Sequence, residues 1–319
     1  MKAIVHRRYG PPDVLTLEDL PRPEPGPGEV LVRVRAASVF AGDWHAVRGA
    51  PFFVRFETGL RRPRNPIPGI DLAGVVEGTG PGVVDLRTGD EVFGFASGSL
   101  AELVCVPADH LARLPRNLTF EQAAAVPEAG MTALQGLRDQ GRVRAGQRVL
   151  VIGASGGVGT FAVQIATALG AEVTGVCGPA NAELVRSIGA AHVVDYTRTD
   201  VTTAGTRYDV IFQLAGTASP RRLRRALEPG GTLVLCSGEG RLAGLGRMLT
   251  AVVLNPFVRE RLAVLLTKEN GTDLGILADM IAAGQVLPVI DRTYPLAKAG
   301  EALAYLEAGH ARGKVVVAI

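Results

Sequence analysis

Apolar and polar residues alternate in short runs from residue 1 to about residue 115 of the chain. In the clearest run, residues 29–37, valine and arginine alternate from position 32 to position 35, and the run follows a stretch rich in proline and glycine at residues 21–28. A two-residue period broken by frequent turn residues is typical of strands that expose one face. Further strands are predicted at residues 74–77, 90–93 and 100–106. We therefore expect an all-β domain of the barrel or sandwich type.

Residues 43–68 interrupt this pattern, because they are aromatic, rich in arginine and without a regular period. The segment is too long for a simple connection, and loops of such length are usually functional or disordered. Exposing the side chains of Phe52, Phe53 and Phe56 to water is costly. We therefore predict an irregular segment whose phenylalanines are buried or line a pocket.

Beyond residue 118 the period changes to that of helices. Thr119 and Gln122 match the capping-box pattern that begins a helix, and a second helix is predicted through residues 131–137. Short apolar runs then alternate with helical segments at about residues 181–188, 219–227 and 273–283. The runs predict six buried strands, at residues 148–152, 172–176, 192–195, 209–213, 232–236 and 262–266. Apolar strands linked by helices predict a doubly wound parallel sheet.

The last segment changes character again, with a strand predicted at residues 286–291, a helix at 296–306 and a strand at 314–319. These elements are not needed to complete the six-stranded sheet, so we assign them to the first domain. The predicted fold class is therefore α/β. A β domain of the barrel or sandwich type, residues 1–118 and 286–319, contains an inserted doubly wound domain of residues 119–285.

A glycine-rich turn joins the first strand of this sheet to the helix that follows. The spacing of Ala154, Gly156 and Gly159 matches the dinucleotide fingerprint, with alanine in place of its first glycine. In this motif one glycine permits a tight turn, one lets the backbone approach a pyrophosphate, and the last lets the helix pack on the strand. The helix N-terminus then offers N–H groups to the phosphates. An ordinary strand–helix turn is the alternative, but the strand that comes next favours a dinucleotide site.

Composition narrows the choice of partners. The net charge of the 319 residues is only +3, which gives too small a field to favour nucleic acid. Cys105, Cys177 and Cys236 are too far apart for a disulfide framework or a structural zinc site. No apolar run approaches the length of a membrane span, and no signal peptide opens the chain. We expect a cytoplasmic protein that binds neither nucleic acid nor membranes.

Seven short motifs occur in order at residues 68–77, 89–94, 123–127 with Thr132 and Ala133, 153–159, 189–196, 229–234 and 313–316. Their joint occurrence resembles the medium-chain dehydrogenase/reductase superfamily over essentially the whole chain. Within that superfamily the chain looks most like the zinc-independent quinone oxidoreductase branch. The resemblance implies that the first domain is a GroES-like β-barrel catalytic domain and that the inserted domain is a Rossmann domain.

The resemblance also bears on zinc. Zinc-dependent members have a cysteine where this chain has residues 41–43, a histidine–glutamate pair at Ile70 and Asp71, and a third ligand near Glu128. Two of these three positions cannot ligate as the family does, and the four-cysteine structural lobe is absent. We therefore expect no metal, and a hydrogen-bonding or salt-bridging role for Asp71 and Glu128.

Without zinc, hydrogen-bond donors or cations must stabilise the oxygen on which negative charge develops. Related proteins often carry Asn-Pro-x-Asp-Trp-Lys at this segment, and here Phe40 replaces the asparagine and His45 the lysine. Because imidazole ionises near neutral pH, His45 is the candidate catalytic donor; a hydrogen-bonded loop histidine is the alternative. Asp43 is the second catalytic candidate, expected mainly to hold the loop. The candidates for substrate binding are Phe40, Trp44, Phe52 and Phe53.

The residues of the turn after Val176 bear on the choice between NADPH and NADH as the cofactor. An NAD site usually has an acid at this strand end, and this chain has none. NADP-using relatives commonly place Ser or Thr and Arg or Lys in this turn, where this chain has Gly178 and Ala180. We favour NADPH as the cofactor, with NADH as the alternative. The predicted cofactor-binding residues are Thr132, Ala154, Ser155, Gly156, Gly157, Val158, Gly159, Cys177, Gly178, Asn181, Tyr196, Leu214, Ala215, Gly216, Ser237 and Gly238.

The leading hypothesis is a zinc-independent, NADPH-dependent oxidoreductase that transfers a hydride to a quinone, an enone or a related carbonyl. The aromatic side chains imply a small apolar or aromatic substrate. One alternative is an alcohol or carbonyl dehydrogenase that does not reduce C=C bonds. Another is a non-catalytic nucleotide-binding protein of the same fold. The resemblance implies a homodimer formed through the edges of the Rossmann sheets.

Overall fold

The computed structural model describes residues 1–236, 244–309 and 311–319. These residues form two compact units. The first contains Met1–Met131, Glu269–Gly284 and Pro288–Ile319, and the second contains Thr132–Lys268 and Gln285–Leu287. The predicted boundaries differ from this division at three places. Residues 119–131 and 269–284 belong to the first unit and not to the inserted domain, and residues 286–287 belong to the second unit and not to the first.

The N-terminal part of the first unit is built from strands, as the two-residue period predicts. In β3, Val30, Val32 and Val34 are buried, whereas Arg33 and Arg35 are exposed. Over residues 32–36 the alternation therefore separates a core face from a solvent face, whereas Leu31, Ala37 and Val39 are buried on the second face as well. The strands are β1 (Lys2–Val5), β2 (Thr16–Asp19), β3 (Glu29–Val39), β4 (Asp71–Thr79), β5 (Glu91–Phe95), β6 (Leu103–Pro107) and β7 (Leu111–Arg113).

The segment predicted to be irregular contains two short helices, α1 (Ala41–Arg48) and α2 (Val54–Thr58). With eight and five residues they are too short to show a helical period in the sequence. Phe52, Phe53 and Phe56 are 63%, 43% and 62% exposed. Of the two predicted roles, burial is therefore wrong, and lining a pocket stays a prediction.

The predicted capping box is confirmed at the start of α3 (Phe120–Ala124). The Thr119 hydroxyl accepts from the Gln122 N–H at 3.3 Å, and the Gln122 side chain accepts from the Thr119 N–H at 3.0 Å. The next helix, α4 (Pro127–Gln135), contains the first residues of the second unit, and a π-helical turn follows at Gly136–Gln140.

The second unit is a six-stranded parallel sheet, and the predicted sheet is confirmed. Its strand order, β10-β9-β8-β11-β12-β13, is that of a doubly wound dinucleotide-binding fold. Val149, Leu150 and Val151 in the central strand are fully buried. The strands are β8 (Arg148–Ile152), β9 (Glu172–Cys177), β10 (His192–Asp195), β11 (Tyr208–Gln213), β12 (Leu227–Leu235) and β13 (Arg261–Val264). The helices are α5 (Gly157–Ala168), α6 (Ala182–Ser187), α7 (Pro220–Leu223) and α8 (Leu245–Leu254).

The chain then returns to the first unit through α9 (Gly271–Ala282), β14 (Ile290–Pro295), α10 (Ala299–Glu307) and β15 (Lys314–Ala318). β14 begins later than the predicted strand at 286–291, because the backbone N–H and carbonyl of Leu287 bond to the Gln164 side chain and Pro288 has no N–H to donate to a ladder. β15 pairs with β14 and antiparallel with β3, which also pairs with β4 and β6. The C-terminal strand is thus part of the first unit's sheet, as predicted. Within the described ranges, no helix has both the length and the apolar character needed to cross a membrane.

Candidate functional site

The predicted cofactor residues lie at the carboxyl ends of neighbouring strands in the second unit. The glycine loop follows β8, Gly178 follows β9, Tyr196 follows β10, and residues 214–216 follow β11. Doubly wound sheets bind ligands at this edge, where the strand order reverses. The Thr132 hydroxyl is 2.9 Å from that of Thr267, which comes after β13. Two further predicted residues, Ser237 and Gly238, lie outside the described residues.

Backbone contacts explain the glycines of the loop. Gly153 has a φ of 89°, which favours glycine. A Cβ at Gly159 would lie 2.0 Å from the Gly153 oxygen, so a side chain is excluded there. Ala154 is fully buried, and its N–H donates to the Val176 oxygen at 3.0 Å. Alanine is tolerated in place of the first glycine because the left-handed conformation falls on Gly153.

The N-terminus of α5 faces this loop without a side-chain cap. Gly156 is the N-cap residue, and no side-chain hydrogen bond caps the helix. A Cβ at Gly156 would meet only the Gly153 oxygen, at 3.5 Å, so the space beside it is open. The N–H groups of Gly157, Val158 and Gly159 and the helix dipole together favour an anion. The loop therefore fits the pyrophosphate of a dinucleotide.

The turn after β9 contains the remaining candidates. Cys177 is buried, and burial raises the pKa of its thiol. Asn181 is directed at the glycine loop, where its Nδ2 donates to the Ser155 hydroxyl at 3.1 Å. The Asn181 Oδ1 is buried without a hydrogen-bond partner among the described residues. Because the Ser155 oxygen accepts from Asn181, its own O–H remains able to donate to a ligand.

The predicted catalytic residues lie on α1 in the first unit. The His45 Nδ1 is 2.7 Å from the Ala50 carbonyl oxygen. Since a carbonyl only accepts, Nδ1 carries the proton, and Nε2 of the neutral ring is an acceptor. The rings of Trp44 and His45 stack with centroids 3.9 Å apart. The predicted role of Asp43 in holding the loop is borne out, because Asp43 is buried and accepts from the Phe40 N–H at 3.0 Å.

Close to α1, a buried ion pair joins Asp71 of β4 to Lys314 of β15, with Oδ2 and Nζ 3.0 Å apart. The Asp71 carboxylate also accepts from the Ser38 hydroxyl at 2.7 Å and from the Glu128 N–H at 2.9 Å. The predicted hydrogen-bonding and salt-bridging role of Asp71 is thus confirmed, and Glu128 takes part through its backbone. Lys314 was not predicted as a partner of Asp71, although a single lysine in an apolar strand could have indicated a buried ion pair.

The cluster around Asp71 does not favour metal binding, because both carboxylate oxygens of Asp71 already accept hydrogen bonds from protein donors. Among the residues that the structure describes, no group of three His, Cys, Asp or Glu side chains is arranged to hold a metal ion.

Burial raises the pKa of Asp43 to about 8. Loss of hydration is the main cause, and the charges of Asp71 and Glu128 add to it. The Phe40 N–H and the Lys314 ammonium act in the opposite direction. Asp43 is therefore mostly protonated at neutral pH, so it serves as a neutral hydrogen-bonding group in the first turn of α1.

Two alanine substitutions separate the roles of the loop glycines. Gly159→Ala introduces a methyl group 2.0 Å from the Gly153 oxygen, so we expect a lower Tm and weaker NADPH binding. Gly156→Ala fits its backbone, so we expect an unchanged Tm but NADPH binding weakened by about tenfold or more, as phosphate contacts are lost. Calorimetric titration and thermal unfolding measure both. Equal NADPH affinity in Gly156→Ala and wild type would contradict the phosphate site.

The protonation of Asp43 predicts how stability depends on pH. Between about pH 4 and about pH 8 the folded protein retains a proton that the unfolded chain releases, so the free energy of unfolding falls as pH rises. Asp43→Asn keeps the acceptor for the Phe40 N–H and removes this titration, so its Tm should depend less on pH over the same range. Asp19→Asn, at an exposed position, is the control. Parallel Tm–pH curves for Asp43→Asn and wild type would refute the assignment.

The comparisons with known proteins agree with both units. A family model described as an alcohol dehydrogenase GroES-like domain matches residues 26–116, and one described as a zinc-binding dehydrogenase matches residues 188–317. The NADPH-dependent alkenal/one oxidoreductase of Arabidopsis thaliana chloroplasts is 34% identical over 336 aligned positions, covering 99% of this chain and 79% of that protein.

Solved structures give the same result. The quinone oxidoreductase of Coxiella burnetii has a TM-score of 0.88 and 30% identity, covering 100% of this chain and 99% of that chain. The Escherichia coli quinone oxidoreductase, solved in complex with NADPH, has a TM-score of 0.83 and 26% identity, with 100% of both chains covered. The chain therefore belongs to the medium-chain dehydrogenase/reductase superfamily, in its quinone oxidoreductase-like branch.

Proposed function

We propose that this protein transfers a hydride from NADPH to a quinone, an enone or a related carbonyl substrate, without a metal ion. The observation that best supports the proposal is the uncapped N-terminus of α5 beside a glycine loop that excludes a side chain at Gly159. The Arabidopsis relative is named for alkenals and alkenones, and the Coxiella and E. coli structures for quinones. NADPH is named for the Arabidopsis and E. coli proteins.

The bound nicotinamide supplies the hydride, and the substrate oxygen then develops negative charge that needs a hydrogen-bond donor. In the proposal, His45 is this donor. Its Nδ1 hydrogen bond to Ala50 fixes the ring and leaves Nε2 for the substrate. Donation from Nε2 requires the protonated imidazolium, because Nδ1 already holds the proton of the neutral ring. Asp43 supports the first turn of α1 and, being buried, does not itself contact substrate.

The substrate class is argued from the aromatic side chains near His45. Trp44 stacks on the His45 ring, and Phe52 and Phe53 directly precede α2 with much of their surface exposed. Exposed aromatic rings favour binding of an apolar partner, because covering them releases water. We therefore infer a small apolar or aromatic carbonyl substrate.

The direct test is NADPH oxidation by the purified protein with a panel of quinones and enones. NADPH deuterated at the transferable position then distinguishes the reaction types by product mass and label position. Deuterium on the carbon β to the carbonyl supports enone reduction, whereas deuterium on the carbonyl carbon supports the alcohol or carbonyl dehydrogenase. Tight NADPH binding without oxidation by any acceptor would overturn the proposal in favour of a non-catalytic nucleotide-binding protein.

His45→Gln tests the donor. A glutamine cannot become cationic, so we expect kcat to fall by about a hundredfold. His192→Gln, at an exposed histidine of the second unit, is the control and should retain the wild-type kcat. A kcat/KM within a few-fold of wild type in His45→Gln would remove His45 from the reaction and leave it as a loop-stabilising residue.

We also propose a homodimer formed by the second unit. β13 is at one end of the sheet, and within the described residues its outer edge pairs with no strand. On α8, Leu249, Val252 and Val253 share one face and are 55%, 59% and 64% exposed. An unpaired edge beside an exposed apolar face favours association with a second copy.

Val253→Glu tests this interface, because a buried carboxylate would be costly there. We expect wild type to sediment as a dimer and Val253→Glu as a monomer, with Val84→Glu, 87% exposed in the first unit, as the control. A wild-type protein that sediments as a monomer, or a Val253→Glu variant that remains dimeric, would contradict this interface.

A further inference from the structure

We propose that the carbonyl substrate also carries a carboxylate and that the guanidinium of Arg55 binds it, while His45 donates to the reacting carbonyl oxygen. The inference rests on the proposed function and deepens it, since it specifies the substrate of the same site. It adds a charged contact to the apolar contacts through which the first unit selects among carbonyl compounds.

Arg55 lies on α2, and three contacts fix its guanidinium. Its Nε donates to the Gly49 carbonyl oxygen at 2.9 Å. The guanidinium carbon lies 4.6 Å from the centre of the Tyr9 ring and 5.7 Å from that of the Phe52 ring. A side chain that is already held loses less conformational freedom when it binds a ligand. The position of this cation is therefore set before a substrate arrives.

The terminal amino groups of Arg55 have no acceptor on the protein. Across the described ranges, hydrogen bonding engages only its Nε, and no carboxylate forms an ion pair with it. The residue is nevertheless half-buried, and charged groups that leave water are normally paired. Two parallel N–H groups of a guanidinium match the two oxygens of a carboxylate, which gives a strong, charge-assisted contact. The missing partner is therefore assigned to the ligand.

Consecutive carbonyl groups hold Arg55 and His45. The Gly49 oxygen accepts from Arg55, and the Ala50 oxygen accepts from Nδ1 of His45 at 2.7 Å. A Cβ at Gly49 would lie 2.8 Å from the Arg55 Nε, so a glycine makes room for this contact. The donor to the carbonyl oxygen and the carboxylate site are thus parts of one short turn, and one small substrate spans both.

The segment after α2 folds back on this helix. The Thr58 hydroxyl lies 2.9 Å from that of Tyr9, which also donates to the Gly59 carbonyl oxygen. The Arg64 N–H donates to the Thr58 carbonyl oxygen at 2.7 Å. The arginine-rich residues of this segment are therefore held beside α2.

The charge around Arg55 is positive. Glu57 is the only carboxylate among residues 49–64, and Arg48 at the end of α1 is already paired with Glu307 at 2.6 Å. Three further arginines are exposed and, among the residues that the structure describes, form no ion pair: Arg61, Arg62 and Arg64. Their combined field attracts an anionic substrate toward Arg55.

The apolar part of the substrate has a surface next to this cation. The rings of Phe52 and Phe56 are exposed and meet edge to face with centroids 5.9 Å apart. Phe52 contacts Arg55 as well, so the apolar and charged surfaces adjoin. A second copy of the chain bound here by two-fold symmetry would bring arginines against arginines, which is unfavourable. The surface instead fits an aromatic or alkyl carbonyl compound with a terminal carboxylate.

β-Benzoylpropionate and its methyl ester test the inference, because esterification removes the negative charge and keeps the aromatic ketone. Calorimetric titration into the protein saturated with NADP⁺ compares their Kd values apart from turnover. For wild type we expect the acid to bind at least about tenfold more tightly than the ester. Arg55→Gln should weaken the acid by about tenfold or more and leave the ester unchanged. Arg55→Lys should keep a smaller preference, because an ammonium group cannot form the bidentate contact.

Arg116→Gln, at an exposed arginine of the first unit, is the control and should bind both compounds as wild type does. Equal weakening of acid and ester in Arg55→Gln would give Arg55 a structural role only and overturn the inference. Equal affinity of wild type for the two compounds, or binding of neither, would also overturn it. Co-sedimentation of the protein with phosphatidylglycerol vesicles would then assign the arginines to a lipid surface.

Oxidation of NADPH with neutral quinones and enones tests the proposed function separately. If these acceptors are reduced and the acid is not preferred, the inference fails and the proposed function stands. If NADPH is oxidised by no acceptor, the proposed function fails, and the inference fails with it.

Discussion

Gly159 approaches the carbonyl oxygen of Gly153 so closely that a methyl group cannot be placed between them. This contact holds the first turn of α5 against the turn that leaves β8, and no side-chain hydrogen bond caps the N-terminus of α5. The same backbone geometry explains why position 154 can hold an alanine. A Cβ at Gly175 in β9 would lie 3.0 Å from the Ala154 methyl group, so a glycine in the neighbouring strand makes room for it. The phosphate site is thus a property of backbone packing, with side chains kept out.

The first unit depends on a different kind of interaction. The Asp71–Lys314 pair is fully withdrawn from water and joins β4 to the last strand of the chain. Removing one partner of such a pair leaves an uncompensated buried charge, which costs about 3–5 kcal/mol. The hydroxyl of Ser38 and the N–H of Glu128 also donate hydrogen bonds to the carboxylate, so four separated parts of the sequence meet there. The C-terminal strand must therefore return to this sheet before the charge is satisfied.

The sequence predicted the second unit well and the surroundings of α1 poorly, and the reason is physical. A parallel strand is buried on both faces, so its apolar run and its connecting helix identify it without knowledge of tertiary contacts. α1 and α2 have one or two turns each, and hydrogen bonds and caps rather than a long apolar stripe define them, as at Gly49, whose φ is 57°. The exposure of Phe52 and Phe56 could not be predicted either, because burial of large apolar residues is an average tendency and does not decide the position of any one side chain.

Affinity for the dinucleotide depends on the turn after β8, and selectivity depends on the turn after β9. Because different residues determine these two properties, each can change without the other. The glycine loop after β8 contacts phosphates by backbone N–H groups, which are insensitive to side-chain substitution outside the loop. Selection at the ribose depends on one or two side chains after β9, where a single charge changes the outcome. At that turn this chain has Gly178 and Ala180, and Asn181 is turned inward to Ser155. In this chain the phosphate site therefore depends on backbone packing after β8, and selection at the ribose depends on the side chains after β9.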